Sequence, residues 1–446
     1  MKKLRNFLIL FWAVFFVMIF AMTATRHVFT NGPQIKGFPK KVVLFLSTII
    51  PNTIHSSWNF NPVLLENSFH LNNGFNYSSN YLSSKDYLLL SVWDDKLSQS
   101  IVKLVRINDG KELYRWVPDI YELISLFESI NIYGTDNPLS KHYLQLRHPF
   151  LTNDGSLIIT IAERGIFKIN NRSKLCWTNA TPSHHSIEAD TDGNYWICSY
   201  NSVKTNSEKY QIRDDAIQKI SAVDGKIVYE KSVFEILMEN GYGRGDLFKN
   251  PNLSINDTYL DYMHLNDVQP VFTDSKYWKK GDLFLSLRRQ NLILLYRPST
   301  NKIIWSQTGP WVHQHNVDVL DSTRIGIFGN NAIDAKFQNE NDRLLDGHNT
   351  EYVIDFAKNE CSKPYDDFFK SAKIGTYTEG RSRILSNGDI FVEETNHGRI
   401  IYGSQHGEIW SYVEKNDENK LSMFSWSRYI TEEEFNKFTF LNQTSK

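Results

Sequence analysis

Cysteine is scarce in this chain, which has three cysteines among its 446 residues. Three are too few for a disulfide scaffold, and their spacing does not fit a zinc finger. In an oxidising compartment Cys176 and Cys198 could form one disulfide and leave Cys361 as a free thiol. The sequence leaves open the alternative that all three are reduced and buried as small hydrophobic residues.

An excess of charge of either sign is also missing. Lys and Arg number 49 and Asp and Glu number 50, so the formal net charge is −1. A balanced charge gives no general reason to expect binding to nucleic acid or to an anionic membrane surface. We therefore predict no nucleic-acid partner, and any positively charged site must be a local cluster.

The N-terminus carries the apolar run that bears on localisation. Basic residues at positions 2, 3 and 5 precede an apolar stretch from Phe7 to Met22, and Arg26 ends it. This pattern is typical of a signal peptide or of a retained signal anchor. Because no clean small-residue cleavage site follows, we predict a retained transmembrane helix. The rest of the chain would then lie outside the cytoplasm, in a periplasm, a lumen or the exterior.

Aromatic residues are abundant, at 14% of the chain with 11 Trp, 22 Tyr and 28 Phe. This composition favours sheet-rich packing over helical bundles. Hydrophobic residues make up 41% of the chain, which is enough for a substantial core.

A repeated pattern of a polar turn followed by an alternating strand runs through the body of the chain. Asn-Gly and Asp-Gly turns suit the type I′ geometry, in which both central residues have positive φ. The copies begin at Asn153, Asp192, Gly281 and Asn387, with a fainter one at Asp321.

A second turn and strand, ending in an aromatic residue, follows each copy of the first. These segments end at Trp116, Trp177, Tyr229, Trp305 and Trp410, and a sixth fits between Glu351 and Cys361. Six units with two hairpins each predict six four-stranded blades, which is the arrangement of a β-propeller. An irregular pair of β-sandwiches is the alternative.

We therefore predict an all-β fold, a six-bladed β-propeller with short helical inserts, preceded by an N-terminal transmembrane helix. The helical inserts are expected from Pro118 to Ile130 and from Val233 to Glu239. The predicted segments are a cytoplasmic stub and anchor at 1–26, a linker with N-terminal strands at 27–79, the propeller at 80–412 and a C-terminal tail at 413–446.

Several of the 13 histidines stand just before an alternating strand. His185, His264 and the pair His313 and His315 occur at the start of successive units. Because the innermost strands of a propeller line its central channel, these histidines are expected to gather at one channel mouth. Arg288 follows one strand further along its unit.

This constellation favours an anion over a metal ion. Three histidines are a common zinc set, and an H-x-H pair such as His313 and His315 suits copper or zinc. However, no Asp, Glu or Cys accompanies these histidines as a further ligand, and Arg288 would repel a cation. A guanidinium matches sulfate, phosphate or carboxylate instead. We predict neither a metal ion nor an organic cofactor.

Three strings in this order resemble the bacterial arylsulfotransferases that work without a nucleotide sulfate donor. They are His264-Leu265-Asn266-Asp267-Val268, Leu285-Ser286-Leu287-Arg288 and Gln314-His315-Asn316-Val317. The resemblance extends over roughly residues 80–412, with its specific motifs between 184 and 330. It implies a six-bladed propeller whose channel holds the active site.

The resemblance also implies roles for individual residues. His315 matches the family's nucleophilic histidine, and His185, His264 and Arg288 match its sulfate-binding and proton-shuttling residues. Asn266 matches a polar partner of the family motif, and His313 is a further candidate substrate-binding residue beside His315.

The implied reaction moves a sulfuryl group from a phenolic sulfate ester to a phenol, through a sulfohistidine in a ping-pong sequence. The expected partners are thus a small aryl sulfate donor and a phenolic acceptor. Two alternatives stay open: a non-catalytic membrane-anchored propeller that binds a ligand or protein, and a metal-dependent hydrolase or quinone-dependent enzyme on the same scaffold. The sequence does not decide between a monomer and a homodimer.

Overall fold

The computed structural model describes residues 64–78, 84–128, 144–201, 211–243, 259–333 and 343–440, with single positions at 12, 81, 130, 139, 141 and 245. The chain divides into two compact units, residues 1–61 and 62–446, and the fold below belongs to the second. The predicted membrane anchor at 1–26 lies outside the described residues except for position 12. Among the helices described, none has the length and apolar character needed to cross a membrane.

Six antiparallel sheets form the six blades of a propeller, which confirms the predicted fold. Each blade is given from its innermost to its outermost strand. Blade 1 contains Arg428–Ile430, Tyr87–Asp94, Gln99–Arg106 and Glu112–Trp116. Blade 2 contains Arg147–Leu151, Leu157–Ile161, Gly165–Ile169 and Leu175–Asn179. Blade 3 contains Ser183–Ala189, Tyr195–Tyr200, Asp215–Ile220 and Ile227–Ser232.

The other three blades follow the same order along the chain. Blade 4 contains Leu265–Pro270, Leu283–Leu287, Leu292–Arg297 and Lys302–Thr308. Blade 5 contains Val317–Val319, Arg324–Gly329, Thr350–Asp355 and Glu360–Ser362. Blade 6 contains Arg381–Ile384, Ile390–Glu394, Arg399–Ser404 and Gly407–Val413, with Gly74–Tyr77 as a fifth, outermost strand.

The ring is closed by strands from both ends of the second unit. Arg428–Ile430, in the segment expected to be a C-terminal tail, pairs with Tyr87–Asp94 and supplies the innermost strand of blade 1. Two smaller pairs lie outside the blades: Leu64–Leu65 with Leu421–Ser422, and Gln211–Arg213 in parallel with Tyr259–Asp261. Joining the first blade to the last removes the open edges that a linear array would expose.

The hydrophobic core lies between neighbouring blades. Leu89 and Leu104 of blade 1 share one buried cluster with Leu157 and Ile159 of blade 2. Because strands inside a blade are covered on both faces, they read as nearly continuous apolar runs, and every residue of Leu157–Ile161 is buried.

The helical inserts occur where the sequence predicts them. The first spans Ile120–Phe127 and the second Val233–Glu239, each with a side-chain N-cap, from Asp119 and Ser232 respectively. Two further helices, Asp366–Ser371 and Glu432–Phe435, were not predicted.

The predicted type I′ turns are wrong. In the turn at 153–155 only Gly155 has positive φ, and the same holds for Gly193 and Gly388 in their turns. The acidic or amide side chain before or within each turn explains the difference, because it accepts a backbone N–H further along. Asp154 Oδ1 accepts from Ser156 N–H at 3.0 Å, for example. The loops are therefore turns closed by a single left-handed glycine.

The described cysteines are all free thiols, so the disulfide between Cys176 and Cys198 does not form in this structure. Cys198 is buried in blade 3, whereas Cys176 and Cys361 are exposed. The alternative prediction, that all three cysteines are reduced and buried, is therefore correct for Cys198 and wrong about the burial of Cys176 and Cys361.

Candidate functional site

Each blade has one residue with left-handed backbone conformation at or just before its innermost strand. In the order of blades 1 to 6 these are Trp426, His148, His185, His264, His313 and Glu379, with φ between 52° and 60°. Positive φ is uncommon outside glycine, although histidine adopts it more often than most residues. Such strain concentrates at functional sites and costs on the order of 1–3 kcal/mol per residue. Six occurrences at one mouth of the channel indicate that this mouth is the site.

Side chains from all six blades form a closed chain of contacts around this mouth, which we call the channel ring. Its members are Arg381, Trp426, His148, His185, His264 and His315. The guanidinium carbon of Arg381 lies 5.0 Å from the centre of the Trp426 ring, and Trp426 meets His148 at 5.4 Å between ring centres. The backbone N–H of Glu379 in the loop leading into blade 6 donates to His315, which closes the ring.

His185 is the centre of this cluster. Its ring centre lies 5.9 Å from that of His148, 5.1 Å from that of His264 and 5.9 Å from that of His315. Its Nδ1 is 2.8 Å from Nδ1 of His184, so one of these two nitrogens donates to the other. The structure thus brings together His185, His264 and His315, as the sequence predicts.

His315 is held by hydrogen bonds at both ring nitrogens. The Glu379 backbone N–H donates to Nε2 at 2.9 Å, and a backbone N–H can only donate, so Nε2 carries no proton. In a neutral ring the proton is then on Nδ1, which donates to the side-chain oxygen of Asn330 at 2.6 Å. This pair of contacts makes Nε2 the unprotonated nitrogen, whose lone pair accepts the Glu379 N–H.

His264 is oriented by two aspartates. Its Nδ1 bonds to the carboxylate of Asp261, which directs Nε2 away from that carboxylate. The carboxylate of Asp215 accepts the backbone N–H of His264 at 2.9 Å and that of Leu265 at 3.1 Å, which fixes the start of the innermost strand of blade 4. Asp215 also lies 3.3 Å from His184 Nε2, without the geometry of a hydrogen bond.

The remaining predicted residues are buried nearby. Arg288 follows the second strand of blade 4, and its backbone N–H donates to the carbonyl of His264 at 3.0 Å. Asn266 donates from its amide to the carbonyl of Gln314 at 2.9 Å, and its buried side-chain oxygen has no hydrogen-bond partner among the described residues. His313 lies outside the strand Val317–Val319, in the loop before it. The predicted H-x-H pair therefore does not lie on a strand.

Burial and neighbouring positive charge keep the central imidazoles neutral. Burial, then the charge of Arg288, lowers the pKa of His315 well below its ordinary value. Burial, then the charges of His184 and His264, does the same to the pKa of His185. The pKa of Asp261 is lowered instead, because the charge of His264 and the bond to it outweigh burial. The neutral imidazoles of His185 and His315, together with the His264–Asp261 pair and a guanidinium, can combine nucleophilic attack, proton transfer and anion binding.

Three of the six members of the channel ring were not predicted from the sequence: His148, Trp426 and Arg381. Asn330, which accepts a hydrogen bond from His315, was not predicted either. His148 stands before the turn at 153–155, much as His185 stands before the turn at 192–194, and that parallel could have revealed it. Trp426 and Arg381 occupy corresponding places in their blades but are not histidines, so no repeated residue type marks them. Asn330 lies at the end of another strand of blade 5. Among the described residues, no group of His, Cys, Asp and Glu is arranged to hold a metal ion.

Comparison with protein families gives one match over this region. Residues 148–415, more than half of the chain, match the family described as "Arylsulfotransferase (ASST)". The matched segment contains every member of the channel ring except Trp426. Among curated proteins, no relative matches.

Several solved structures are similar at the level of overall shape. One is a streptogramin B lyase with 12% identity and a TM-score of 0.37, covering 79% of this chain and 87% of that one. Another is a catalytically inactive virginiamycin B lyase from Staphylococcus aureus with quinupristin, at 11% identity and TM-score 0.35, covering 79% and 89%. A third is the C-terminal WD40 domain of Sif2, at 8% identity and TM-score 0.40, covering 83% and 97%. Likeness of this degree says nothing about activity.

Proposed function

This chain belongs to the arylsulfotransferase family, and we propose that it transfers a sulfuryl group from a phenolic sulfate ester to a phenol through a sulfohistidine at His315. The family supports a sulfotransferase that acts on small aryl molecules. The observation that carries the finer proposal is the contact of His185, His264 and His315 at one channel mouth, with Arg288 close enough for its charge to lower the pKa of His315.

In the first half-reaction, Nε2 of His315 attacks the sulfur of the donor. The N–S bond forms as the bond between sulfur and the phenolic oxygen breaks, and the electron pair leaves with the phenolate. Phenol has a pKa near 10, like tyrosine, so the phenolate leaves without strong protonation, although a proton from His264, held by Asp261, would assist it. Arg288 would stabilise the charge on the sulfuryl oxygens.

In the second half-reaction the acceptor phenol takes the place of the first product. His264 or His185 removes its proton, its oxygen attacks sulfur, and the N–S bond breaks to return neutral His315. Splitting one transfer into two steps lets donor and acceptor use the same pocket in turn.

Attack also requires that the Glu379 N–H leave Nε2 of His315, since that donor occupies the lone pair. Glu379 lies in the loop before blade 6 with φ of 55°. A donor that binds at Nε2 would therefore have to displace this contact.

The N-terminal segment extends the proposal to localisation. We propose that residues 1–26 anchor the protein in a membrane and that the propeller works outside the cytoplasm, in the periplasm of a bacterial host and in a lumen or the exterior otherwise.

The test is a transfer assay with p-nitrophenyl sulfate as donor and phenol as acceptor. We expect wild-type protein to form phenyl sulfate with parallel-line ping-pong kinetics. His315→Ala should lose at least ~10³-fold in kcat, since its nucleophile is gone. His406→Ala is the matched control, because it removes an exposed histidine that is outside the channel ring and should retain most of the activity.

Two results would contradict the proposal. Full activity of folded His315→Ala would exclude His315 as the nucleophile. A failure of wild-type protein to use any aryl sulfate would instead favour the non-catalytic propeller that binds a ligand or partner.

A further inference from the structure

Arg381 is a buried cation without a buried partner. It is the first residue of the innermost strand of blade 6, and only 6% of its surface is exposed. Two of its three guanidinium nitrogens, Nε and Nη1, are buried and make no hydrogen bond within the part of the chain that the structure describes. No carboxylate of the described residues forms an ion pair with it. Its one strong contact is the face of Trp426, at 5.0 Å.

The carboxylates near Arg381 are committed to other groups. Glu393, which is opposite Arg381 in the strand pair, accepts the backbone N–H groups of Trp426 and Ser427 at 2.8 and 2.5 Å. Asp318 accepts from the amide of Asn316 at 3.0 Å, and Glu379 accepts from Arg147 at 2.8 Å. Burial raises the pKa of Glu393, and it raises that of Asp318 although the charge of Arg381 opposes it, so neither acid compensates the guanidinium fully.

A buried guanidinium that lacks its counterion costs several kcal/mol, so a protein retains one where an anion arrives to pair with it. Arg381 has space for such an anion. It lines a cavity of about 390 Å³, together with Phe150, Glu188, Asp318 and Arg428. Through Trp426 and His148 it is also continuous with the histidines of the channel ring.

The position of Arg381 around the channel adds to this argument. Arg288 belongs to blade 4 and Arg381 to blade 6, and these blades flank blade 5, which carries His315. The charge of Arg381 acts on His148, whose pKa is lowered by burial and by nearby cations, among them Arg381. The two blades that flank blade 5 thus each carry a buried arginine, Arg288 and Arg381.

We propose that Arg381 is a second anion-binding residue of this channel, pairing with the oxygens of a sulfate or carboxylate group of the substrate. This proposal rests on the proposed function for the identity of the substrate, but not for the existence of the anion site. Two groups of the substrate can supply the anionic oxygens that pair with Arg381: the sulfuryl group that is transferred, or an anionic substituent on the aryl ring. A guanidinium fork suits either one.

The first experiment measures anion binding without catalysis. Inorganic sulfate is titrated into purified protein at pH 7, with chloride at matched ionic strength as reference, and followed by calorimetry and by the rise in Tm. We expect Arg381→Met to weaken sulfate binding by roughly tenfold or more, as for the loss of a charge-assisted hydrogen bond. Met keeps the apolar contact with Trp426, and Arg381→Lys serves if Met prevents folding.

Arg324→Met is the matched control. Arg324 is exposed, is paired with Asp321 at 2.7 Å and does not line the cavity, so its loss should leave sulfate affinity within about twofold. Equal sulfate binding by wild type and folded Arg381→Met would overturn the proposal. Sulfate binding that depends on Arg381, in a protein that transfers no sulfuryl group, would support the site and reject the proposed function.

The second experiment distinguishes the two sources. Wild type and Arg381→Met are compared with phenol and with 4-hydroxybenzoate as acceptors. If the guanidinium binds a ring substituent, KM rises for 4-hydroxybenzoate alone. If it binds the sulfuryl group, the donor's kcat/KM falls with either acceptor. Unchanged constants for both acceptors and for the donor would overturn the proposal even in an active enzyme.

Discussion

The backbone N–H of Glu379 donates to Nε2 of His315 at 2.9 Å, although the residues are 64 positions apart and belong to neighbouring blades. This contact defines the protonation of the proposed nucleophile, because it leaves the proton on Nδ1 and directs that proton to Asn330. The Nδ1–H of His315 is thus oriented by the side-chain oxygen of Asn330. The amide nitrogen of Asn330 donates to the carbonyls of Thr376 and Glu379, at 3.1 and 2.8 Å, which fixes the position of that side chain.

Removing the Asn330 side chain should impair transfer without removing a reacting group. Asn330→Ala leaves the Nδ1–H of His315 without its acceptor and lets the ring rotate, so we expect kcat to fall by about 10–100-fold with little change in KM. Steady-state kinetics with p-nitrophenyl sulfate measure this. Asn316→Ala is a useful comparison, since it also removes a buried amide of this blade but not a bond to His315. Equal kcat in wild type and Asn330→Ala would show that this hydrogen bond does not orient the nucleophile.

Acid should inhibit transfer only well below the ordinary pKa of histidine. Burial and Arg288 lower the pKa of His315, so the ring stays neutral, and nucleophilic, as pH falls through 6.5. The acidic limb of kcat/KM is therefore expected below pH 6.5. Asn330→Asp should move this limb upward, because a carboxylate beside Nδ1 stabilises the imidazolium. A limb at or above pH 6.5 in wild type would contradict the neutral-imidazole account.

The bond between His264 and Asp261 should matter most when the leaving phenolate is basic. Asp261→Asn removes the carboxylate that holds Nδ1 of His264, which weakens its role as proton donor. We expect the loss in kcat to be larger with phenyl sulfate than with p-nitrophenyl sulfate, whose phenolate is more stable. Equal losses with both donors would assign Asp261 a structural role only.

Glu351 should make the free energy of unfolding fall as pH rises, and Glu351→Gln should lose this dependence. Burial raises the pKa of Glu351 in blade 5 to about 8, and its carboxyl oxygen accepts a hydrogen bond from Ser382 of blade 6. Between its ordinary pKa and about 8, the native state holds a proton that the unfolded state releases. This group therefore destabilises the native state increasingly as pH rises through that window.

Glu351→Gln lacks this titration. Relative to wild type, its free energy of unfolding should improve between pH 5 and pH 8, by at most about 1.4 kcal/mol per pH unit. Urea denaturation at several pH values measures the difference, and Glu360→Gln, at an exposed position, is the control. Parallel curves for wild type and Glu351→Gln would contradict a protonated Glu351.

The blades could be predicted from the sequence because each one leaves a local signal. The glycine of a turn such as Gly155 and the aromatic residue that ends an outer strand, such as Trp116, recur in most of the units. The turn type could not be predicted from the Asn-Gly and Asp-Gly pairs alone. It depends on the bond from a side chain such as Asp154 to the backbone, which competes with the type I′ conformation.

The site was predictable only where its members share a residue type. His185, His264 and His315 were found because histidine recurs at the start of successive blades. Trp426 was not predicted, because it joins the ring only when the strand Arg428–Ile430 closes the propeller. No local sequence pattern indicates that closure. Arg381 was missed for the same reason, and its isolation from carboxylates is visible only once the blades are packed.

The central claim is that a sulfuryl group resides on His315 between the two half-reactions. Purified protein is treated with p-nitrophenyl sulfate without acceptor, and its mass is measured intact and after digestion. We predict one adduct of about 80 Da, located on His315 and lost when phenol is added, as expected of a covalent intermediate. An adduct on His185 instead, or transfer to phenol by a protein that never carries an adduct, would contradict the account.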